Sequence, residues 1–215
     1  MANRSYIYGL INDKHYSIGE YPYFIPYAYR ILAAYDNKIV DSHLFDKIVG
    51  IEADFLRGKE ALYWLLDFLV EGGQMKDPDD FKNAVIATKK FIDAITAEQI
   101  LLENGELYAL YTNEDDTYLD GPGLEKVNGY AREDYQWIGE DIDNIKKLNL
   151  APHRFFNLEE TEKLWKWLAD LKDTWKEKLG LDSWRKILYF QFTDDPNALP
   201  DEARMNPFDF DEKAS

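Results

Sequence analysis

Fifteen tyrosines, twelve phenylalanines and six tryptophans sit in a chain whose formal net charge at neutral pH is −16. An acidic chain poor in apolar residues stays unfolded because it cannot offset its conformational entropy. Here 46% of the residues are hydrophobic, and each buried ring removes about 150–250 Å² from water. The rings supply the core that the charge alone would deny. A folded surface this acidic repels phosphate backbones and anionic lipid, so nucleic acid and membranes are disfavoured as partners and a basic protein is favoured.

The chain has no Pro-, Gly- or Ser-rich linker, so residues 1–193 are expected to form a single globular domain. Residues 194–215 are acidic and carry prolines, and a loosely docked tail is expected there. Cysteine is absent, which excludes disulfides, thiolate catalysis and Cys-bearing zinc or iron–sulfur sites. The opening residues lack an apolar signal core, and the stretch from Ala61 to Val70 is broken by Asp67 and too short to span a bilayer. These features point to a cytoplasmic protein, with no cofactor indicated and the oligomeric state left open.

Alternation of Tyr6, Tyr8 and Leu10 with Ser5, Ile7 and Gly9 predicts a strand over Arg4–Leu10, followed by a loop from Asn12 to Pro22. A helix is expected from Pro26, with Ala28, Ile31, Leu32 and Tyr35 on one side, then a short strand within Lys47–Asp54. Lys59–Val70 is apolar nearly all round and reads as a buried helix stopped by Gly72-Gly73. Asp77-Pro78-Asp79-Asp80 reads as an Asp cap, a first-turn proline and two acids facing the positive end of the next helix. Asn104-Gly105 predicts a two-residue hairpin between Gln99–Glu103 and Glu106–Thr112. Gly121-Pro122-Gly123 breaks the chain, and the acidic region up to Asn149 reads as only partly helical. Asn157 and Glu160 form a capping box for a helix with Leu164, Trp165, Leu168, Leu171, Trp175 and Leu179 inside, and Ile187–Thr193 reads as a closing strand. The sum is α+β: a small, largely antiparallel sheet packed against several helices.

No motif of catalysis stands out. The three histidines, His15, His43 and His153, are scattered and lack metal-ligand spacing. Glu114, Asp115, Asp116 and Asp120 resemble a calcium loop, but the sixth position from Glu114 is Leu119 where an EF-hand needs Gly. The densest acid, from Glu114 to Asp143, reads first as a solvated surface. The tyrosines Tyr16, Tyr21, Tyr23 and Tyr27, in a cluster with Phe24 and Tyr29, are the best protein-binding candidates by residue type, because a tyrosine packs an apolar ring while its hydroxyl tolerates water.

Met-Ala-Asn-Arg-Ser-Tyr-Ile-Tyr at the start, the Ile25-Pro26-Tyr27 helix entry, Leu102-Glu103-Asn104-Gly105-Glu106 and the Trp184 to Phe190 segment resemble an uncharacterised family of bacterial proteins. The resemblance implies a bacterial, cytosolic origin and no assigned activity. The functional expectation is a non-enzymatic, acidic protein-binding module, of the kind that neutralises a basic toxin or nuclease, with Tyr16, Tyr21, Tyr23, Tyr27, Glu114, Asp115, Asp116 and Asp120 as candidate contacts. Two other classes stay open: a carboxylate-based hydrolase or metal-dependent enzyme, and a self-associating structural protein.

Overall fold

A computed structural model describes residues 3–11, 14–111, 121–150 and 157–184. Five strands, β1 (Arg4–Ile11), β2 (Lys14–Pro22), β3 (Lys38–Asp41), β4 (Val49–Asp54) and β5 (Gln99–Glu103), form one sheet in the order β2-β1-β5-β4-β3. Every neighbouring pair is antiparallel. The helices among the described residues are α1 (Tyr27–Leu32), α2 (Phe55–Gly72), α3 (Pro78–Asp93), α4 (Gly105–Tyr111), α5 (Gly121–Leu150) and α6 (Leu158–Lys178). The fold is α+β.

Strand period sorts the side chains into two faces. Ile7, Leu102 and Ile51 lie side by side across β1, β5 and β4, and with Ile18 and Ile100 they meet Leu62, Leu65, Leu66 and Leu69 of α2 and Phe81, Val85 and Ile92 of α3 in the main core. Tyr6, Tyr8, Leu10 and Leu101 point the other way and form a second, smaller cluster capped by Leu44. Helix packing on the first face is close enough to fix residue size: a Cβ on Gly58 of α2 would stand 2.0 Å from the Leu32 carbonyl oxygen at the end of α1. Glycine is required there.

Several local expectations need correction. The segment from Asn12 to Pro22 is not all loop: Lys14–Pro22 is a full strand whose register slips between Ile7 and Tyr8, placing Ile18 as the extra residue. That bulge breaks the alternation that marks a strand in sequence. The four-residue edge strand β3 also escapes pattern reading. Asn104-Gly105 does not turn a hairpin; the chain leaves β5 directly into α4. A Cβ on Gly105 would approach the Phe45 ring to 2.5 Å, so close packing rather than turn geometry explains this glycine. The region after Gly121 is one continuous 30-residue helix. Asp77 takes a left-handed backbone with φ 52°, and its carboxylate accepts from Lys176 of α6 at 2.8 Å instead of capping α3. Trp165, expected inside α6, is 54% exposed, because it follows Leu164 directly and falls off the buried Leu164, Leu168, Leu171 and Trp175 stripe.

Other expectations hold at residue level. Asn157 accepts from the Glu160 N–H at 2.9 Å while the Glu160 carboxylate receives the Asn157 N–H at 3.3 Å, closing the capping box of α6. Trp184 stacks near Phe91 and Tyr29 and makes an isolated bridge to Gly19 of β2. The expected strand Ile187–Thr193 and the tail 194–215 lie outside the described residues. No helix among the described residues is long and apolar enough to cross a membrane.

Candidate functional site

Helices α2 and α3 cover one face of the sheet; on the other lies the connection between β3 and β4, flanked by α4 and the first part of α5. Residues 42–48, here called the strap, lie against this second face, with Leu44 set among Tyr6, Tyr8, Leu10 and Leu101. The Ser42 hydroxyl accepts the Leu44 and Phe45 N–H groups at 3.1 and 2.9 Å, which starts the turn. At its far end Asn128 of α5 accepts from Val49 N–H at 3.1 Å and donates to the Lys47 carbonyl at 3.2 Å. Near its start the strap is fastened to the sheet by His43. Its N–H donates to Glu103 Oε1 at 2.7 Å, and its ring Nδ1 meets His15 Nε2 of β2 at 2.5 Å, the two rings lying edge to face.

Under the strap the sheet face is polar to a degree unusual for a buried surface. Arg4 pairs with the buried Glu20 at 2.7 Å. Tyr6 donates to Glu106 Oε1 at 2.9 Å, and the same carboxylate accepts the Arg4 N–H at 3.0 Å, so the first turn of α4 is tied to β1. Burial drives the Tyr6 and Tyr8 hydroxyls far above the ordinary phenol range. Glu103 is fully buried, and burial pushes its carboxyl up to about 7, against the pull of the His43 N–H and of Ser42 and Leu44. Its Oε2 has no hydrogen-bond partner among the described residues and leans over Gly50, where any Cβ would stand 3.0 Å away.

Next along the chain, Asn104 and Tyr108 both donate to Asp134 of α5, and burial lifts that carboxyl to about 6. About two turns further along α5, Asp141 accepts from the Trp167 indole at 3.0 Å and lies 2.8 Å from Arg30 Nε; burial holds it at about 6 as well. Asp134 and Asp141 therefore leave the solvated acidic surface expected of their stretch and join α4, α1 and α6 to α5. Glu125, Glu133 and Glu140 do face solvent.

Between the strap and α4 opens a pocket of 550 Å³. Leu44, Phe45 and Ile48 wall one side and Ala109 and Leu110 the other, with the carboxylates of Asp46 and Glu106 and the ammonium of Lys47 at its margins. Leu110 is 46% exposed at its rim. A second cavity of 390 Å³ lies beside His43, lined by Glu52, Thr96, Glu98 and Gln99. No group of three or more potential metal ligands occurs among the described residues.

The tyrosines singled out in sequence do not form one patch. Tyr16 pairs with Gly9 and Tyr21 with Ser5; the two tyrosines are five residues apart on β2 but their partners only four apart on β1, so the bulge leaves them on the same face, roughly 13 Å from each other. Tyr21 donates to the Glu177 carbonyl at 2.6 Å. Tyr27 lies under the Arg30 guanidinium, 4.3 Å from the ring centre, with the Trp167 edge beside it. Burial raises both hydroxyls. Tyr29 is wholly buried and donates to Ser183 Oγ at 2.9 Å, whereas Tyr16, Tyr21, Phe24 and Tyr27 are half-buried and Tyr23 is 60% exposed. Glu114, Asp115, Asp116 and Asp120 lie outside the described residues, as does His153. The strap site escaped sequence reading because His15, His43 and Glu103 are far apart along the chain; the one local sign was a Glu-Asn pair closing an apolar strand.

A family model described as a domain of unknown function (DUF7822) matches residues 8–151, which span the strap, Glu103, α4 and α5. No curated protein and no solved structure matches.

Proposed function

The chain belongs to the DUF7822 family, and we propose that this member is a non-enzymatic recognition module that binds a basic protein partner through the pocket between the strap and α4. The observation that carries this reading is a pocket of 550 Å³ that joins apolar residues, Leu44, Phe45, Ile48 and Leu110, to the acidic Asp46 and Glu106, on a chain of net charge −16. Such a pocket suits the aliphatic stem and cationic head of a lysine or arginine, or an aromatic anchor flanked by basic residues. The surrounding negative potential speeds encounter with a cationic partner and disfavours anionic ones. A basic toxin or nuclease held inactive by an acidic companion is the partner type this chemistry fits by analogy.

The buried carboxylates support recognition rather than chemistry. Glu103 holds the strap, Glu106 ties α4 to β1, and Asp134 and Asp141 tie helices to α5, so each already has a bracing role. The test is titration of the purified protein with a basic partner recovered from its own host, at low and at physiological salt. Affinity is expected to fall as salt rises and to fall again in Leu110→Arg, which places a like charge on the partner's path. Binding indifferent to both changes would overturn the reading.

A further inference from the structure

We propose that the His15–His43 pair is a proton-operated latch: a second proton on the pair releases the strap from β2 and reshapes the pocket the strap walls. Two imidazoles joined Nε2 to Nδ1 at 2.5 Å share one hydrogen, one ring donating and the other accepting. A single added proton is tolerated, because it sits on an outward nitrogen and strengthens the donor. A second leaves two N–H groups and two positive charges facing each other across the same gap. No acceptor remains, and the contact must open.

The surroundings permit this protonation. His43 is exposed and His15 half-buried, so water reaches the pair. Tyr8 of β1 presents its ring to His15 edge-on at 6.1 Å. Glu52 of β4, itself held by Lys38 of β3 at 2.7 Å, lines the neighbouring cavity with His43, as do Gln99 of β5 and Glu98 just before it. Glu103 of β5 accepts the His43 N–H. Glu103 works against the latch, since burial raises its carboxyl to about 7 and it therefore takes up a proton more readily with the strap closed over it.

What moves is set by the remaining tethers. Asn128 holds Lys47 and Val49 by groups that do not titrate, so that end acts as the hinge. Release at His43 lets Leu44 leave Tyr6, Tyr8, Leu10 and Leu101, and Leu44, Phe45 and Ile48 are the strap's share of the pocket wall. The consequence for binding rests on the pocket being the partner's site; the latch itself does not, and it is measured with no partner present.

The experiment is site-resolved hydrogen exchange of the full chain at about pH 7.5 and about pH 5.5, corrected for intrinsic exchange, because imidazole changes charge in that interval. The amides of His43 and Leu44 are expected to lose protection by roughly tenfold or more, the change one linked proton gives per pH unit, while those of Ile100 and Leu102 in β5 hold theirs. His15→Gln keeps a neutral partner that accepts from a protonated His43, and its strap should stay within about twofold across the interval. Glu103→Gln removes the carboxyl's titration and should leave the histidine-dependent part in place. Strap protection that does not change with pH in the native sequence, or that changes equally in His15→Gln, overturns the latch.

Discussion

The two faces of the sheet share strands but not chemistry. On the helix side Ile7, Ile51, Ile100 and Leu102 are packed against apolar side chains of α2 and α3. On the strap side Tyr6, Tyr8, Glu20 and Glu103 are just as buried, yet they are held by hydrogen bonds, an ion pair and a seven-residue connection. Apolar packing is indifferent to pH and costly to disturb; a buried polar face depends on protonation and is secured at a few points. One face fixes the fold, and the other is built to respond.

The sharpest way to break this contrast is to damage each face in turn. Leu102→Ala leaves a cavity between β5 and α2 and should cost about 2–5 kcal/mol in urea unfolding. A loss below about 1 kcal/mol would mean that the helix side is not the main source of stability.

The next effect is one of pH. Glu103 has its carboxyl raised to about 7 from an ordinary 4.5, so between those values the folded protein binds a proton that the unfolded chain does not. Stability therefore falls as pH rises through this window, by about 3 kcal/mol in all. Asp134 and Asp141, raised to about 6 from 3.8, add the same sign over a lower window. Glu103→Gln should flatten the slope between about pH 5 and pH 8, read as urea midpoints, and stabilise the protein most at the alkaline end. An unchanged slope would show that Glu103 is not desolvated under the strap.

Smaller again is the hinge. Asn128→Ala removes two hydrogen bonds to the strap and should cost about 1 kcal/mol, while speeding exchange at Val49 before Leu102 is affected. Least of all on stability is Leu110→Arg, an exposed change expected to stay within about 0.5 kcal/mol while weakening a basic partner roughly tenfold. If it unfolds the protein, Leu110 belongs to the core and not to a rim.

The helix side was the legible one. Its signals are local and periodic: apolar runs in Lys59–Val70, spaced apolar residues after Asp77, and the Asn157-Glu160 box. The strap side depends on partners distant in sequence. His15 and His43 are 28 residues apart, Arg4 N–H and Glu106 are 102 apart, and no periodicity announces either contact. Even Asn104-Gly105, a strong turn signal, was decided at long range: Asn104 bonds Asp134 on α5 and Gly105 makes room for Phe45, so a helix starts where a hairpin was expected. The tyrosine-rich cluster misled in the opposite direction, because Tyr21, Tyr27 and Tyr29 use their hydroxyls and rings inside the molecule.

One sample settles the division of labour between the faces: the melting temperature and the exchange protection of the His43 and Leu44 amides, followed together from about pH 8 to about pH 5.5. The two should move in opposite directions, the fold gaining stability as Glu103, Asp134 and Asp141 take up protons and the strap losing protection as the histidine pair does. A melting temperature and a strap that weaken together would contradict it.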